Sequence, residues 1–285
     1  MLKGGLVSIR EALSTLNPME RKVAQYILDH PSEVINLSVQ KLARLTGVSE
    51  ATIIRFSRSL NFKGFHDLKM KLVADLSQPS PKPDSYQEIR IDGSVRELIQ
   101  TLSHNNIRSI QDTLSVLSEE SVERAIELLS KARKIGVFGV GASGVIAQDF
   151  KQKATRINRW CEAGYGFDEQ ATIAATMTEQ DVAFGISYSG QTEDIIKSLE
   201  VAKANGAKVI TLTKFGKNPV ASLANVSLFT SSLEKSIRSG AMASRIAQLN
   251  VIDILYVGMA SRSYEASIRA LEKTREAVRS GKRNE

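Results

Sequence analysis

The sequence predicts an all-α helix-turn-helix domain followed by an α/β domain with a parallel sheet flanked by helices. Three observations carry this expectation. Residues 1–78 have strong helical periodicity, no strand signal, and two short helical stretches meeting at Gly47. Residues 131–285 alternate apolar runs of strand length with helical stretches, the pattern of a parallel sheet covered on both faces. Between them Pro79, Pro81 and Pro83 alternate with other residues, which favours an extended spacer and excludes a helix or sheet interior. The expected boundaries are therefore a first domain over 1–78, a linker over 79–93, and a second domain over 94–285 with its core in 131–260.

In the first domain, Pro18 follows Asn17 at a first-turn position, and Met19, Val23, Tyr26 and Ile27 form an apolar stripe that Pro31 closes. A second helix ends at Gly47, which tolerates the left-handed conformation of a sharp turn. Ser49 then caps a third. Phased at about 100° per residue, this third helix turns Ile53, Phe56 and Leu60 to the core and Ala51, Ile54, Arg55 and Arg58 outward, with Glu50 at its open end. A face that is small at its start and basic further along suits a helix pushed into the DNA major groove. Arg55 is the first candidate for a base edge, with Glu50 and Thr52 behind it. Arg58, Lys41, Lys63 and Lys69 suit phosphate contacts, and Ser49 belongs to the same face of contacts. A solvated basic face on a structural helix pair is the competing reading.

Glu20-Arg21-Lys22-Val23-Ala24, Gly47 through Phe56, and Gly64-Phe65-His66-Asp67-Leu68-Lys69 together resemble the DNA-binding domain of RpiR-type bacterial transcriptional regulators. The resemblance implies operator DNA as a partner.

Helical spacing returns after Gly93 through Val95, Leu98, Ile99 and Leu102, then Ile107, Ile110, Leu114 and Leu117, and again through Val122, Ala125, Ile126 and Leu129. These helices are expected to lead into the second domain and cover its sheet, with His104 on a helix surface. The strands follow at Ile135–Val140, Trp160–Glu162, Val182–Ile186, Val209–Thr213 and Val226–Phe229. In such sheets ligands bind beyond the carboxyl ends of the strands. One end carries Gly139-Val140-Gly141-Ala142-Ser143-Gly144; another carries Ser187-Tyr188-Ser189-Gly190-Gln191-Thr192, followed by a helix start at Glu193. Helix N-termini leave amides unpaired and favour an anion, and the hydroxyls of Ser143, Ser187, Ser189 and Thr192 add donors without a full charge. An ordinary N-cap turn is the plain alternative for the second loop.

These two loops resemble the sugar isomerase (SIS) domain, a phosphosugar-binding module, so the second domain is expected to be SIS-like. Ser244-Arg245-Ile246-Ala247-Gln248-Leu249 with Ile252-Asp253-Ile254-Leu255 also matches RpiR-type regulators. Within that family the chain looks most like the MurR-like branch, which implies N-acetylmuramic acid 6-phosphate as effector. The resemblance carries phosphate contacts onto Ser143, Ser187, Ser189 and Thr192, with Gly141, Ala142, Gly190 and Gln191 lining the loops.

Gly139, Gly141 and Gly144 also satisfy G-x-G-x-x-G after a strand, with Glu162 near the end of the next, so a dinucleotide-binding regulator is an alternative. That scheme gives the hydroxyl cluster no role. A phosphosugar isomerase or lyase with an accessory helical domain is another alternative, since aldose–ketose isomerisation needs a base and usually an acid. All three histidines, His30, His66 and His104, precede residue 131, leaving Glu193 and Glu234 as possible bases. No enzyme activity is expected. Helix 241–259 is apolar nearly all round, so burial in the core or at a subunit contact is expected, and Arg245 then needs a carboxylate, helix-end carbonyls or the bound sugar as partner. The C-terminal run with Lys273, Arg275, Arg279 and Lys282 alternates with Glu272 and Glu276, a solvated helix.

Composition agrees with a globular chain of 285 residues, 42% hydrophobic and 24% charged, long enough for two domains. Net charge is +4 over residues 1–78, −4 over 79–130 and +7 over 131–285, so an acidic connector separates two blocks able to meet anions. The single cysteine, Cys161, excludes an internal disulfide and a cysteine-rich metal site, and is expected to be a small buried or half-buried thiol. No cofactor and no metal are expected. Met1–Arg10 lacks a sustained apolar core, and Ile246–Ala260 is short and interrupted by Gln248, Asn250 and Asp253. A cytoplasmic protein without a membrane partner is expected, acting as a homo-oligomer, dimer or tetramer, because one recognition helix covers too little sequence.

Overall fold

The computed structural model describes residues 4–13, 15–77, 94–232 and 241–281. The proline-rich linker, Glu234 and Lys282 lie outside the described residues. The chain divides into two compact units: the described residues up to 118 with 214–217 and 229–232, and the remainder.

The first unit contains α1 (Gly5–Ala12), α2 (Pro18–Asp29), α3 (Pro31–Val34), α4 (Val39–Thr46), α5 (Glu50–Ser59), α6 (Phe65–Ser77) and α7 (Val95–Val116). Asn17 caps α2 by accepting from the amides of Met19 and Glu20, with Pro18 at the first helical position. Pro31 does more than end that helix, since it also opens α3. The core is built on Ile9, Val23, Ile27, Leu42, Ile53, Phe56, Leu68 and Leu72, all fully buried. The expected boundary at 93 is displaced, because α7 packs with this unit and α8 (Glu119–Lys131) with the other. Two contacts hold α7 there: the Gly4 amide donates to the Ser115 carbonyl at 2.8 Å, and Arg10 donates to Asp112 at 2.5 Å. His104 is exposed on α7.

Glu11 of α1 is buried in this unit. The Ser231 hydroxyl donates to its Oε1 at 3.0 Å, Lys214 Nζ lies 3.3 Å from Oε2, and Arg10 Nε lies 3.9 Å from Oε1. Burial pushes the Glu11 carboxyl above its ordinary range, against the opposing pull of Lys214, Arg10 and the Ser231 hydroxyl.

In the second unit the strands are β1 (Ile135–Phe138), β2 (Cys161–Gly164), β3 (Val182–Ser187), β4 (Lys208–Lys214) and β5 (Val226–Thr230), in the order β2-β1-β3-β4-β5. The pairs β1·β2, β1·β3 and β3·β4 are parallel. Residues β5 shares with the first unit begin at Phe229, and β4 passes into it at Lys214. The connecting helices are α9 (Ala142–Arg156), α10 (Phe167–Ala175), α11 (Glu193–Ala204) and α12 (Pro219–Ser222), followed by α13 (Met242–Arg262) and α14 (Tyr264–Gly281). β1 and β3 are buried along their whole lengths, as expected of central parallel strands, and Phe150 of α9 meets Phe184 edge-on at 5.4 Å. Just before β3, Asp181 accepts a two-pronged bond from Arg133 (3.0 and 2.7 Å) and bonds from the Thr178 amide and hydroxyl. Burial alone would raise the Asp181 carboxyl, but the Arg133 and Thr178 donors outweigh it and hold it below the usual range.

α13 buries one face only, through Ser244, Ala247, Gln248, Val251, Ile252, Leu255 and Met259. Arg245 is exposed on the other side. Cys161 is buried in β2, and burial pushes its thiol up to about 12. Among the described residues no helix is long and apolar enough to cross a membrane.

Glu11 yields a prediction. A carboxyl whose folded-state pKa is raised contributes stability below the ordinary value and loses it as pH climbs through the raised one. Compared by denaturant unfolding, wild type is expected to lose stability relative to Glu11→Gln as pH rises from about 4 to about 8. A difference that stays constant over that span would mean the carboxyl titrates normally.

Candidate functional site

The first candidate surface is α5. Ser38 caps α4, whose end Gly47 adopts φ +66° and so turns the chain sharply. Ser49 caps α5 through the Thr52 amide at 3.2 Å. Ile53, Phe56 and Leu60 face the core, which leaves Glu50, Ala51, Arg55 and Arg58 exposed and Ile54 half-buried. Lys41 and Lys63 are exposed on the flanking segments. Thr52 departs from its expected place. It is buried, its hydroxyl bonded to Ser49 Oγ at 2.9 Å, so it braces the turn instead of facing outward. Lys69 departs too, because its ammonium donates to the Leu37 carbonyl at 2.9 Å and lies over the Phe65 ring. Arg44, exposed in the last turn of α4, adds to the basic surface and was missed because its helix was read only for its end at Gly47.

The second candidate site lies where β1 and β3 end. Their register pairs Phe138 with Gly185, so the loops 139–144 and 187–192 leave adjacent strands at the same edge of the sheet. The chain reverses direction across the sheet between these two strands, the position at which doubly wound sheets open a crevice. In the first loop, the backbone doubles back so closely that a Cβ at Gly139 would stand 2.4 Å from the Ser143 carbonyl oxygen. Gly141 (φ +59°) caps α9 without a side-chain bond, and no acidic residue occupies the first turn. That end of α9 keeps its partial positive charge uncompensated. Gly141 is exposed, and Ala142 and Ser143 are half-buried.

The second loop is closed on itself. Ser187 is buried, its Oγ 2.8 Å from Thr192 Oγ1 and accepting from the Gly190 amide at 3.2 Å. One hydroxyl hydrogen is used between Ser187 and Thr192; the other remains available. Ser189 is exposed, with its Oγ accepting from the Gln191 amide at 3.2 Å, and Gln191 is exposed beside it. Thr192 caps α11 by position but not by a side-chain bond. Unlike α9, α11 opens with Glu193 and Asp194. The hydrogen bond from Lys197, with its charge, lowers the Glu193 carboxyl below the usual range.

Sequence reading missed two further side chains. Asn218, which precedes Pro219, caps α12 by accepting from the Ala221 amide at 2.8 Å and donates to Thr213 Oγ1 at 3.0 Å. The Asn-Pro pair is a legible helix start, but its nearness to the second loop is not. Gln170 of α10 is fully buried and donates to the carbonyls of Gly139 (2.9 Å) and Gly164 (3.2 Å), and no local pattern marks it. Glu162 sits within β2, opposite Gly136, with its carboxylate accepting from Trp160, and not at a strand end. No cluster of histidine, cysteine and carboxylate suited to a metal occurs among the described residues.

Comparison with known proteins matches residues 3–79 to the helix-turn-helix domain of the rpiR family and residues 128–258 to the SIS domain. An uncharacterized HTH-type transcriptional regulator of Caldanaerobacter subterraneus is 44% identical, covering 96% of both chains. The HTH-type transcriptional regulator YbbH of Bacillus subtilis is 39% identical over 98% of this chain and 99% of its own. Among solved structures, the Vibrio vulnificus NanR protein complexed with ManNAc-6P superposes with a TM-score of 0.61 at 27% identity, covering 96% of this chain and 98% of that one.

The second loop supports a stability prediction. Gly190 has φ +67°, and a Cβ there would stand 2.1 Å from Asn218 Oδ1. Gly190→Ala is expected to cost about 1–3 kcal/mol in thermal or denaturant unfolding. An unchanged midpoint would mean the loop relaxes freely.

Proposed function

The chain belongs to the rpiR family of helix-turn-helix transcriptional regulators carrying a SIS domain, and from that membership we propose that a phosphorylated sugar, held between the loops after β1 and β3, sets its affinity for operator DNA. The observation that carries the reading is the adjacency of those loops at the switch point of the sheet, where Gly141, Ala142, Ser143, Ser189 and Gln191 stand exposed or half-exposed. The phosphate belongs at the first loop, against the partly positive N-terminal end of α9, because the acidic first turn of α11 repels it. Ser187 holds its loop in shape, while Thr192, Ser189 and Gln191 meet sugar hydroxyls. The ManNAc-6P of the NanR complex supports an N-acetylated amino-sugar 6-phosphate as the class, which also includes N-acetylmuramic acid 6-phosphate.

Arg55 reads base edges, with Glu50, Ala51 and Ile54 beside it, while Lys41, Arg44, Arg58 and Lys63 hold phosphates. The protein works in the cytoplasm as a dimer, since paired half-sites need paired recognition helices. The effector alters DNA affinity by binding two arrangements of the chain unequally. Thr213 pairs with Ser187 across β3 and β4, and the next residue, Lys214, ion-pairs with Glu11 of the first unit.

The protein performs no turnover in this reading. An isomerase base needs a pKa near neutrality, whereas Lys197 lowers the Glu193 carboxyl. The strand order β2-β1-β3-β4-β5 also differs from the order in which dinucleotides are bound across two mononucleotide-binding halves.

The test uses the full chain and an operator selected from random DNA, with anisotropy as the readout. N-acetylmannosamine 6-phosphate and N-acetylmuramic acid 6-phosphate are titrated separately. One of them is expected to change operator affinity about tenfold, and Ser189→Ala to weaken that response while leaving effector-free binding unchanged. No response to either sugar, or turnover of one, would overturn the reading. Separately, Arg55→Ala is expected to erase discrimination at one base position, worth about 1–3 kcal/mol, with non-specific binding kept. Undiminished discrimination would remove Arg55 as a base reader.

A further inference from the structure

Each of the two site loops rests on one buried or braced amide side chain that belongs to another element. Gln170 reaches from α10 to the Gly139 carbonyl, at the root of the first loop, and to the Gly164 carbonyl at the end of β2. Two carbonyl acceptors fix which way the amide points, since only its nitrogen can donate. Its Oε1 is buried without a partner among the described residues. The arrangement therefore sacrifices an acceptor inside the protein in order to hold the loop root. The backbone is shaped to admit this residue: a Cβ at Gly164 would stand 3.0 Å from Gln170 Cγ and 2.8 Å from the Gln170 backbone nitrogen.

Asn218 plays the corresponding part under the second loop. Its side chain occupies the space beside Gly190, 2.1–2.7 Å from where a Cβ would lie. It ties to Thr213 through Nδ2 and to the Ala221 amide through Oδ1, and the Gly190 carbonyl accepts from the Val220 amide at 3.0 Å. Thr213 in turn pairs with Ser187 in the sheet. The serine loop is thus pinned from below to β4 and α12.

We propose that Gln170 and Asn218 are the positioning residues of the sugar-phosphate site, each setting one loop at the geometry a phosphosugar requires without touching the ligand. The inference rests on the proposed reading of those loops as the effector site. Pre-set loops spare the ligand the cost of ordering them, so loosening either one weakens binding even where every contacting side chain is intact.

The experiment compares full-length wild type, Gln170→Met and Asn218→Ser by hydrogen exchange, by calorimetric titration with N-acetylmannosamine 6-phosphate, and by effector-free operator binding. Methionine matches the bulk of glutamine without its donors. Serine keeps a helix-capping oxygen but is too short to tie Thr213. Both variants are expected to melt within about 5 °C of wild type and to bind effector-free operator with unchanged affinity. Exchange is expected to quicken about tenfold at the Ala142–Gly144 amides in Gln170→Met and at the Gly190–Thr192 amides in Asn218→Ser, with β1 and β3 protected as before, and sugar-phosphate affinity to fall about tenfold in each. Unchanged loop exchange would overturn the positioning role. Loosened loops with undiminished sugar affinity, or a wild type that binds no sugar phosphate, would overturn the proposal through the site reading beneath it, leaving the amides as braces alone. Should a variant fail to fold, Gln170→Leu or Asn218→Thr replaces it in the same comparison.

Discussion

The parallel pairing of β1 with β3 is the constraint on which the α/β unit depends. Because β2 lies on the far side of β1, the chain must leave β1 toward one side and β3 toward the other. The helices that follow, α9 and α11, then diverge and leave a crevice between two loops at one end of the sheet. Both strands are buried on both faces, and their register sets Phe138 beside Gly185 at the end where the two loops leave. The glycines in the loops follow from this geometry. Gly139 and Gly190 occupy positions where backbone or the Asn218 side chain fills the space a Cβ would need.

Much of this was legible from local pattern. Four strands were readable as apolar runs and β2 only as a weak stretch, while α2, the end of α4 and the start of α5 announced themselves by Asn17-Pro18, Gly47 and Ser49, where one residue performs one backbone task. What escaped depends on contacts far apart in sequence. The place of α7 is decided by Gly4 and Arg10, more than a hundred residues before Ser115 and Asp112. Its own amphipathic stripe is indifferent to which unit covers it. α13 is apolar nearly all round in composition, yet within the chain only the face through Ala247, Val251 and Leu255 is covered, and Arg245 lies on the other.

The same division runs through the candidate sites. Residue types on the loops were legible because turns demand glycine and helix starts favour hydroxyls. Which hydroxyl is free was not. Ser187 and Ser189 look alike in sequence, but the last residue of β3 points into the protein while Ser189 does not. Thr52 and Arg55 differ in the same way on α5, where helix phase separates a residue bonded to the cap from one open to solvent. Gln170 and Asn218 were invisible as parts of the site because each works on a loop outside its own element.

The chemistry of the loops bears on what kind of protein this is. Residues 139–144 and 187–192 contain no lysine or arginine, so an anion meets backbone amides, hydroxyls and one partial helix charge. Neutral donors give such an anion hydrogen bonds assisted by its own charge but lack the ion pair that a lysine or arginine would add. A site made this way releases its ligand when the concentration falls, provided the loops are already in place, because little binding energy is lost to ordering them. A metabolite sensor needs that reversibility, and a rigid frame is the means of obtaining it from weak donors. Gln170 and Asn218 beneath the loops supply the frame.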